Sequence, residues 1–324
     1  MSERVSFSGG SQICIPHSAF RILSCSGLIV LLLSSSAWGQ GSAEAVSSPG
    51  VLRLGMTASM FTGVNMLDAK AALEVWGDAL AKSMVEGQKV EWVVFPDRPS
   101  MLHAVRTGQV HLVSMTSLDY LEVRDDALVE PSLVGLQWGG RVGLQYLLLV
   151  RRDGDVQNLR ELQGKNVVIG TRDEGRMVRM WLDILLLQDG LAESSNYLSA
   201  EKVDKAMKAL LQVFFGQVDA CIVTAEAYLT AVELNPQIVE SLKILDRSPD
   251  LLSRLMCFPK DCDVGIQRIL LDSALKLHME ATGEQILALF HLERCDLFRP
   301  SYLENVTALV EEHRRLGNGY ADVE

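Results

Sequence analysis

The sequence predicts an α/β protein of two lobes, and three observations lead to that prediction. Short segments rich in β-branched residues alternate with longer amphipathic segments along the chain. The chain of 324 residues is long enough for two globular lobes. The strand–helix order also starts again near residue 147. Because helices that connect successive strands favour right-handed crossovers, we expect each lobe to contain a mainly parallel sheet flanked by helices.

Residues 1–39 are typical of a signal peptide. The basic residues Arg4 and Arg21 precede the apolar stretch Ile22–Leu33, and mostly small residues follow up to Gly39. A membrane-spanning helix needs about 20 apolar residues, so the stretch favours a cleaved signal, with an uncleaved membrane anchor as the alternative. We therefore expect export to the periplasm. Residues 40–50 are rich in Ser, Ala and Gly, which predicts a flexible leader.

The first lobe is expected to comprise residues 51–146 and 247–324. Gly87 and Gly108 end its first two helices, and Pro96 and Pro99 end its second strand. Its predicted strands are Val51–Met56, Val90–Phe95, Val110–Met115 and, after the chain returns, Leu255–Phe258. Its predicted helices are Asn65–Glu86, Ser100–Thr107, Val264–Leu277, Gly283–Leu292 and Tyr302–Leu316.

The second lobe is expected to comprise residues 147–246. Its first strand begins slightly before that boundary, and its last strand leads back towards the first lobe. The predicted strands are Leu144–Arg151, Asn166–Gly170, Val218–Val223 and Leu242–Leu245. The predicted helices are Leu159–Leu162, Glu174–Gln188, Ala200–Phe215 and Ala225–Glu233.

The composition argues against several classes of function. The formal net charge is −11, so nucleic acid is not an expected partner. The histidines are scattered without metal-ligand spacing, and no phosphate loop or nucleophile elbow occurs. We therefore expect no metal, no cofactor and no catalysis, and we expect a monomer.

Two cysteines enclose four residues in the part of the first lobe that follows the return of the chain. In an oxidising compartment Cys257 and Cys262 could form a small disulfide. The alternative is that Cys257 lies in a strand and points inward as a free thiol.

Ligands of open α/β sheets bind beyond the carboxyl ends of the strands, so the loops there hold the candidate binding residues. Arg98, Arg172 and Arg176 could hold a planar anion with their guanidinium groups, or be surface charges. Asp173 and Glu174 lie at a helix N-terminus, where they either cap the helix or contact the ligand. The remaining candidates with hydroxyl groups are Thr57, Ser59, Ser114, Thr116, Ser117, Tyr120, Thr171 and Thr224.

Several stretches together resemble a known family. They are VLRLGMT (51–57), KVEWVVFPDRPSMLHAVRTGQVHLVSMTSLDYLEVR (89–124), YLLLVRRDGDVQNLRELQGKNVVIGTRDEG (146–175), AMKALLQVFFGQVDACIVTAEAY (206–228) and SPDLLSRLMCFPKD (248–261). Over residues 50–300 they resemble the phosphate/phosphite/phosphonate solute-binding proteins of ABC transporters. That resemblance implies the periplasmic binding-protein type 2 fold. It also implies two crossover segments, near 143–148 and 244–250, that act as a hinge when the lobes close over a ligand.

The resemblance implies a small anionic ligand and an ABC-type permease as partner. Glu226 matches an acidic ligand-contacting position of the family's aminophosphonate binders, with a solvated first-turn carboxylate as the alternative. Arg254 replaces an acidic position of those binders, and His111 stands where Asp is usual.

The loop Gly170–Gly175 lacks the Ser-Thr-Ser-Gly run with which the family holds phosphonate oxygens. The ligand's identity is therefore left open. The alternative function is a periplasmic sensor or an accessory subunit of a membrane complex, with an altered or degenerate pocket.

Overall fold

The computed structural model describes residues 50–61, 66–82, 89–170, 175–197, 199–203 and 205–321. The predicted signal peptide, nearly all of the predicted leader and the loop residues 171–174 lie outside the described residues. Within the described ranges, no helix combines the length and apolarity that crossing a bilayer requires.

Strands and helices alternate along the described chain. The strands are β1 (Val51–Thr57), β2 (Lys89–Phe95), β3 (Leu112–Thr116), β4 (Val129–Gln137), β5 (Arg141–Val142), β6 (Tyr146–Arg151), β7 (Asn166–Gly170), β8 (Ser199–Lys202), β9 (Ala220–Thr224), β10 (Leu242–Arg247), β11 (Arg254–Pro259) and β12 (Arg294–Leu297). The helices are α1 (Met66–Lys82), α2 (Arg98–Arg106), α3 (Ser117–Val123), α4 (Arg176–Gln188), α5 (Ser194–Tyr197), α6 (Ala206–Phe214), α7 (Ala225–Leu234), α8 (Gln237–Ser241), α9 (Val264–Lys276), α10 (Ala281–Leu289) and α11 (Glu304–Ala321).

The strands form two separate sheets, which confirms the α/β class with two sheets. The first sheet has the order β12-β4-β11-β3-β1-β2, with β5 beside β4, and the second has the order β10-β6-β9-β7-β8. The division into lobes at residues 146 and 246 stays a prediction.

The strand directions differ from the prediction, because both sheets are mixed rather than mainly parallel. Strand β1 is parallel to β2 and β3, and β7 is parallel to β8 and β9. Strand β11, however, inserts antiparallel between β3 and β4, and β6 inserts antiparallel between β9 and β10. A hydrophobic pattern predicts where a strand lies but not whether it pairs parallel or antiparallel with its neighbours. The antiparallel positions of β6 and β11 could therefore not be predicted from the sequence.

One predicted helix begins later than expected. Residues Ser199–Lys202 form the edge strand β8, which pairs with β7, and α6 begins only at Ala206. Ala, Glu and Lys favour helix in isolation, and pairing with β7 overrides that preference. The sequence analysis also missed α3, β12 and β4, and Pro131 within β4 weakens its strand pattern.

Segments of the chain between the sheets are held together by backbone hydrogen bonds. Leu144 and Leu251 exchange two of them, at 2.8 and 2.9 Å. Gly143 precedes this bridge with φ +90°, and a Cβ at Gly143 would lie 2.5 Å from the carbonyl carbon of Leu251. Only glycine therefore fits this approach of the two segments.

The C-terminal helix α11 packs along α4, which follows β7 of the second sheet. Gln188 donates to Glu312 at 3.1 Å, and the His313 ring nitrogen lies 3.4 Å from Asp183. The chain's last described helix thus contacts the layer of the second sheet.

Candidate functional site

A cavity of about 940 Å³ lies between the two sheets. Its wall includes Met56 of β1, Gly170 of β7 and Thr224 of β9, which lie at or next to the carboxyl ends of their strands, and Ser114 in the middle of β3. Ligands of α/β sheets bind at such carboxyl ends. The volume lies in the upper part of the range of roughly 300–1,000 Å³ found for small-molecule sites.

The second sheet contributes a polar part of the wall. Thr224 caps α7, because its hydroxyl accepts a hydrogen bond from the Ala227 N–H at 3.2 Å. Glu226 lies in the first turn of α7, half-buried, and makes no hydrogen bond or ion pair with the described residues. Lys205, which immediately precedes α6, lies exposed at the same wall. One cationic and one anionic side chain therefore lie near two helix N-termini.

Close packing brings α6 to this wall. A Cβ at Gly170 would lie 2.7 Å from the Cβ of Ala209 and 3.0 Å from the Cα of Ala206. The absence of a side chain on Gly170 thus lets the start of α6 approach the end of β7. Lys205 is positioned at the cavity by that contact.

The first sheet's side of the wall also contains polar groups. Ser114 is only 5% exposed, and Arg254, at the start of β11, is half-buried opposite Thr116. Gln137 and His291 also line the cavity, and His291 adopts the left-handed conformation with φ 58°.

Most of the first sheet's side of the wall is apolar. Trp76 and Trp92 pack against each other there with ring centroids 5.0 Å apart. The other apolar members include Met56, Met60, Leu73, Ile286, Leu287 and Phe290. These residues belong to one hydrophobic cluster between the sheet, α1 and α10.

Of the residues predicted from sequence, the structure brings four together at this cavity. They are Ser114, Thr224, Glu226 and Arg254. Ser114 and Arg254 come from β3 and β11 of the first sheet, and Thr224 and Glu226 come from β9 and α7 beside the second sheet.

Two predicted arginines lie elsewhere and are neutralised by carboxylates. Arg98 at the start of α2 pairs with Asp119 at 3.6 Å and with Glu122. Arg176 at the start of α4 pairs with Asp119 at 3.7 Å and with Glu122 at 2.8 Å. This four-residue charge cluster links α3, beside the first sheet, to α4, beside the second. The guanidinium groups that were considered as anion ligands contact protein carboxylates.

Several predicted hydroxyl residues have structural partners. The Thr116 hydroxyl caps α3 and donates to the Asp119 carboxylate at 2.8 Å. Ser117 is fully buried, and its hydroxyl donates to the Leu252 carbonyl. Tyr120 packs against the hydrophobic core, and burial raises its pKa. Thr57 is buried at the end of β1, opposite Phe95.

The remaining predicted residues cannot be placed at the cavity. Ser59 belongs to the short helix Ala58–Phe61, whose backbone alone is described at that position. Thr171, Arg172, Asp173 and Glu174 lie outside the described residues.

The disulfide considered between Cys257 and Cys262 is not formed, and both are free thiols. Cys257 is fully buried in β11 within one hydrophobic cluster, whereas Cys262 packs against a different cluster. The Cys262 thiol donates to the His111 carbonyl at 3.3 Å, and burial raises its pKa to about 11. The two side chains thus point into different environments, which agrees with the alternative interpretation of Cys257.

The sequence did not predict that Lys205, Gln137, His291 and the apolar wall line the cavity. Lys205 was not recognised because the sequence predicts a helix from Ala200, which places Lys205 within the helix, whereas in the structure it directly precedes α6. The apolar wall carried no usable signal, since its residues have the same spacing as ordinary core residues.

Comparisons with solved structures support the fold. A Xanthomonas citri protein bound to chloride ion shares 17% identity, with a TM-score of 0.58 over 84% of this chain and 100% of that chain. A binding protein component of an ABC phosphonate transporter from Pseudomonas aeruginosa shares 16% identity, with a TM-score of 0.56 over 82% and 87%. PhnD1 from Prochlorococcus marinus, in complex with methylphosphonate, shares 16% identity, with a TM-score of 0.55 over 81% and 98%.

A protein-family model covers most of the chain. A comparison of this chain with curated protein sequences found no match. Residues 64–301, however, match the model described as "ABC transporter, phosphonate, periplasmic substrate-binding protein". That range contains every described residue of the cavity wall except Met56 and Met60. The chain therefore belongs to the family of periplasmic substrate-binding proteins of phosphonate ABC transporters.

Proposed function

We propose that this protein is exported to the periplasm, where it captures a small anionic solute between its two sheets for an ABC permease. The observation that supports the proposal most is the cavity at the strand ends of both sheets. Its wall joins Lys205 and Thr224 on one side to Ser114 and Arg254 on the other. A ligand that contacts both sides would favour the arrangement in which the two sheets are close together.

The polar part of the wall suits an anion with several oxygen atoms. Lys205 carries a positive charge, and the hydroxyls of Thr224 and Ser114 can donate hydrogen bonds. The N-termini of α6 and α7 add positive partial charge. Phosphonate, phosphite, sulfonate and carboxylate groups all meet these requirements.

Thermal unfolding of the purified protein tests the proposal. A ligand at 100 times its dissociation constant should stabilise the native state by about 2.7 kcal/mol. We expect methylphosphonate, phosphite, methanesulfonate or acetate to raise the unfolding temperature. The absence of a shift with all four would contradict anion capture and favour an accessory subunit with an altered pocket.

A matched pair of variants assigns any binding to the cavity. Lys205→Gln removes the charge at the wall, whereas Lys208→Gln removes an exposed charge on the same helix that does not line the cavity. We expect Lys205→Gln to weaken anion binding about tenfold and Lys208→Gln to leave it nearly unchanged. Equal effects of the two variants would contradict this location of the ligand.

A further inference from the structure

The cavity contains a part that a compact anion does not reach. We call this part the apolar chamber and define it by Met60, Leu73, Trp76, Ile286 and Phe290. All five residues come from segments around the first sheet, and none carries a charge or a hydroxyl group. Lys205, Thr224 and Glu226 lie on the wall contributed by the second sheet. We call the wall formed by Lys205, Thr224 and Glu226 the polar end of the cavity. The first sheet's side combines the apolar chamber with the polar groups of Ser114, Gln137, Arg254 and His291.

Water is a poor occupant of the apolar chamber. An ordered water molecule needs two to four polar partners, and the side chains of the chamber offer few. The indole nitrogens of Trp76 and Trp92 are buried within the wall, without a partner among the described residues. Apolar surface that faces a cavity gains free energy when hydrocarbon covers it. The chamber therefore selects for an apolar group.

The cavity as a whole is also suited to ligands of different shape. Met56, Met60 and Met256 line the cavity, and methionine side chains are unbranched and polarizable, so they fit groups of different shape. The total volume of about 940 Å³ is far larger than a head group with one methyl substituent requires.

We propose that the ligand is an amphiphile whose anionic head binds at the polar end and whose linear alkyl tail fills the apolar chamber. The proposal rests on the solute-binding function above, and it specifies the substrate class of that same cavity. A medium-chain alkylphosphonate is the chemical class that fits both ends of the wall. Lys205 and Thr224 contact its oxygens, and Leu73, Ile286 and Phe290 contact its tail.

A chain-length series on the unaltered protein tests the proposal. Isothermal titration calorimetry would compare methylphosphonate, butylphosphonate and octylphosphonate, each below its micelle-forming concentration. Each methylene that is buried contributes about fourfold in affinity. We expect octylphosphonate to bind at least tenfold more tightly than methylphosphonate. Equal affinities across the series would overturn the amphiphile proposal and leave anion capture standing.

A matched pair of variants places the tail. Ile286 is 4% exposed and lines the cavity, whereas Ile266 is 5% exposed and packs in another cluster of the same sheet. Ile286→Gln should remove most of the affinity advantage of octylphosphonate over methylphosphonate. Ile266→Gln should preserve the advantage. If both variants bind octylphosphonate as the unaltered protein does, the tail lies elsewhere and the proposal is wrong.

The remaining outcomes separate the head group from the tail. Binding of octanoate or octyl sulfate, without binding of any phosphonate, would support the apolar chamber and contradict the phosphonate head. Failure of every compound, short or long, to bind would overturn both the amphiphile proposal and the solute-binding function on which it rests.

Discussion

Glu226 lies in the cavity wall, half-buried, and makes no hydrogen bond or ion pair with the described residues. A carboxylate in this position repels a simple anion but attracts an amino group on the same ligand. Lys205 on the same wall attracts the anionic group. We therefore expect the two side chains together to distinguish ligands with an amine from ligands without one.

Glu226→Gln tests this role. Because a hydrogen bond to a charged group contributes about 1.5–3 kcal/mol, the affinity for 2-aminoethylphosphonate relative to methylphosphonate should fall about tenfold. Calorimetric titration of both compounds measures the ratio. Glu233→Gln, an exposed change on the same helix, should leave it unchanged. An unaltered ratio in Glu226→Gln would exclude contact between this carboxylate and the ligand.

His111 gives a prediction about pH. Its Nδ1 accepts a hydrogen bond from the Arg53 N–H at 3.1 Å, and burial lowers its pKa from the ordinary value of 6.5. The unfolded chain therefore binds a proton more readily than the native protein does. The stabilisation from neutral His111 is complete above pH 6.5 and is lost as the pH falls through the lower, native pKa.

His111→Asn keeps an acceptor for Arg53 but does not titrate. Urea unfolding at several pH values should show the advantage of the unaltered protein over this variant shrinking between pH 7.5 and pH 5. The same comparison with His103→Asn, at an exposed position on α2, serves as the control. A constant difference for His111→Asn would mean that the side chain titrates alike in both states.

At the residue scale, sequence reasoning found the polar part of the site better than the apolar part. Ser114 and Thr224 follow from the rule that ligands bind at strand ends, and the structure places both at the cavity. Arg98 and Arg176 were selected by the same rule, but in the structure they form ion pairs with Asp119 and Glu122. Those carboxylates lie on α3, a helix that the sequence analysis did not predict, so the pairing could not be foreseen.

At the scale of elements, hydrophobic pattern predicted most strands and helices but not their neighbours. Strand β7 has the predicted bounds, and α4 begins two residues after the predicted start. Strand β8 was predicted as helix, because four residues of edge strand gain their stability from pairing with β7 rather than from local preference. The antiparallel insertion of β11 depends on where the chain returns from the second sheet, which no local pattern records.

The bridge between Leu144 and Leu251 depends on Gly143. In Gly143→Ala, the left-handed backbone and the clash with Leu251 should together lower the free energy of unfolding by at least about 3 kcal/mol. Gly108→Ala is the matched control, because Gly108 has φ +65° but open space around its Cα, and about 1 kcal/mol is expected. Chemical denaturation measures the free energy of unfolding of both variants. Similar decreases in the two variants would show that the contact between residue 143 and Leu251 does not add to the destabilisation.

At the scale of the whole molecule, the charge cluster of Arg98, Asp119, Glu122 and Arg176 connects helices beside different sheets. These side chains are partly exposed, so each pair contributes little and is screened by salt. The cluster can nevertheless influence the distance between the two sheets. A change in that distance would also change the cavity that lies between them, so it can be measured through ligand binding.

Arg176→Gln should favour a more open arrangement of the sheets. We expect a larger radius of gyration by small-angle X-ray scattering in the absence of ligand, and an affinity for anions weakened about threefold. Both effects should diminish at high salt. Arg315→Gln removes an ion pair within α11 and serves as control. If the two variants scatter and bind alike, the charge cluster does not influence closure.

A crystal structure of the protein grown with a saturating alkylphosphonate tests the central claim most directly. We predict electron density for the ligand in the cavity between the sheets, with the phosphonate oxygens near Lys205 and Thr224. Density for the phosphonate at any other place, with no ligand in this cavity, would contradict it.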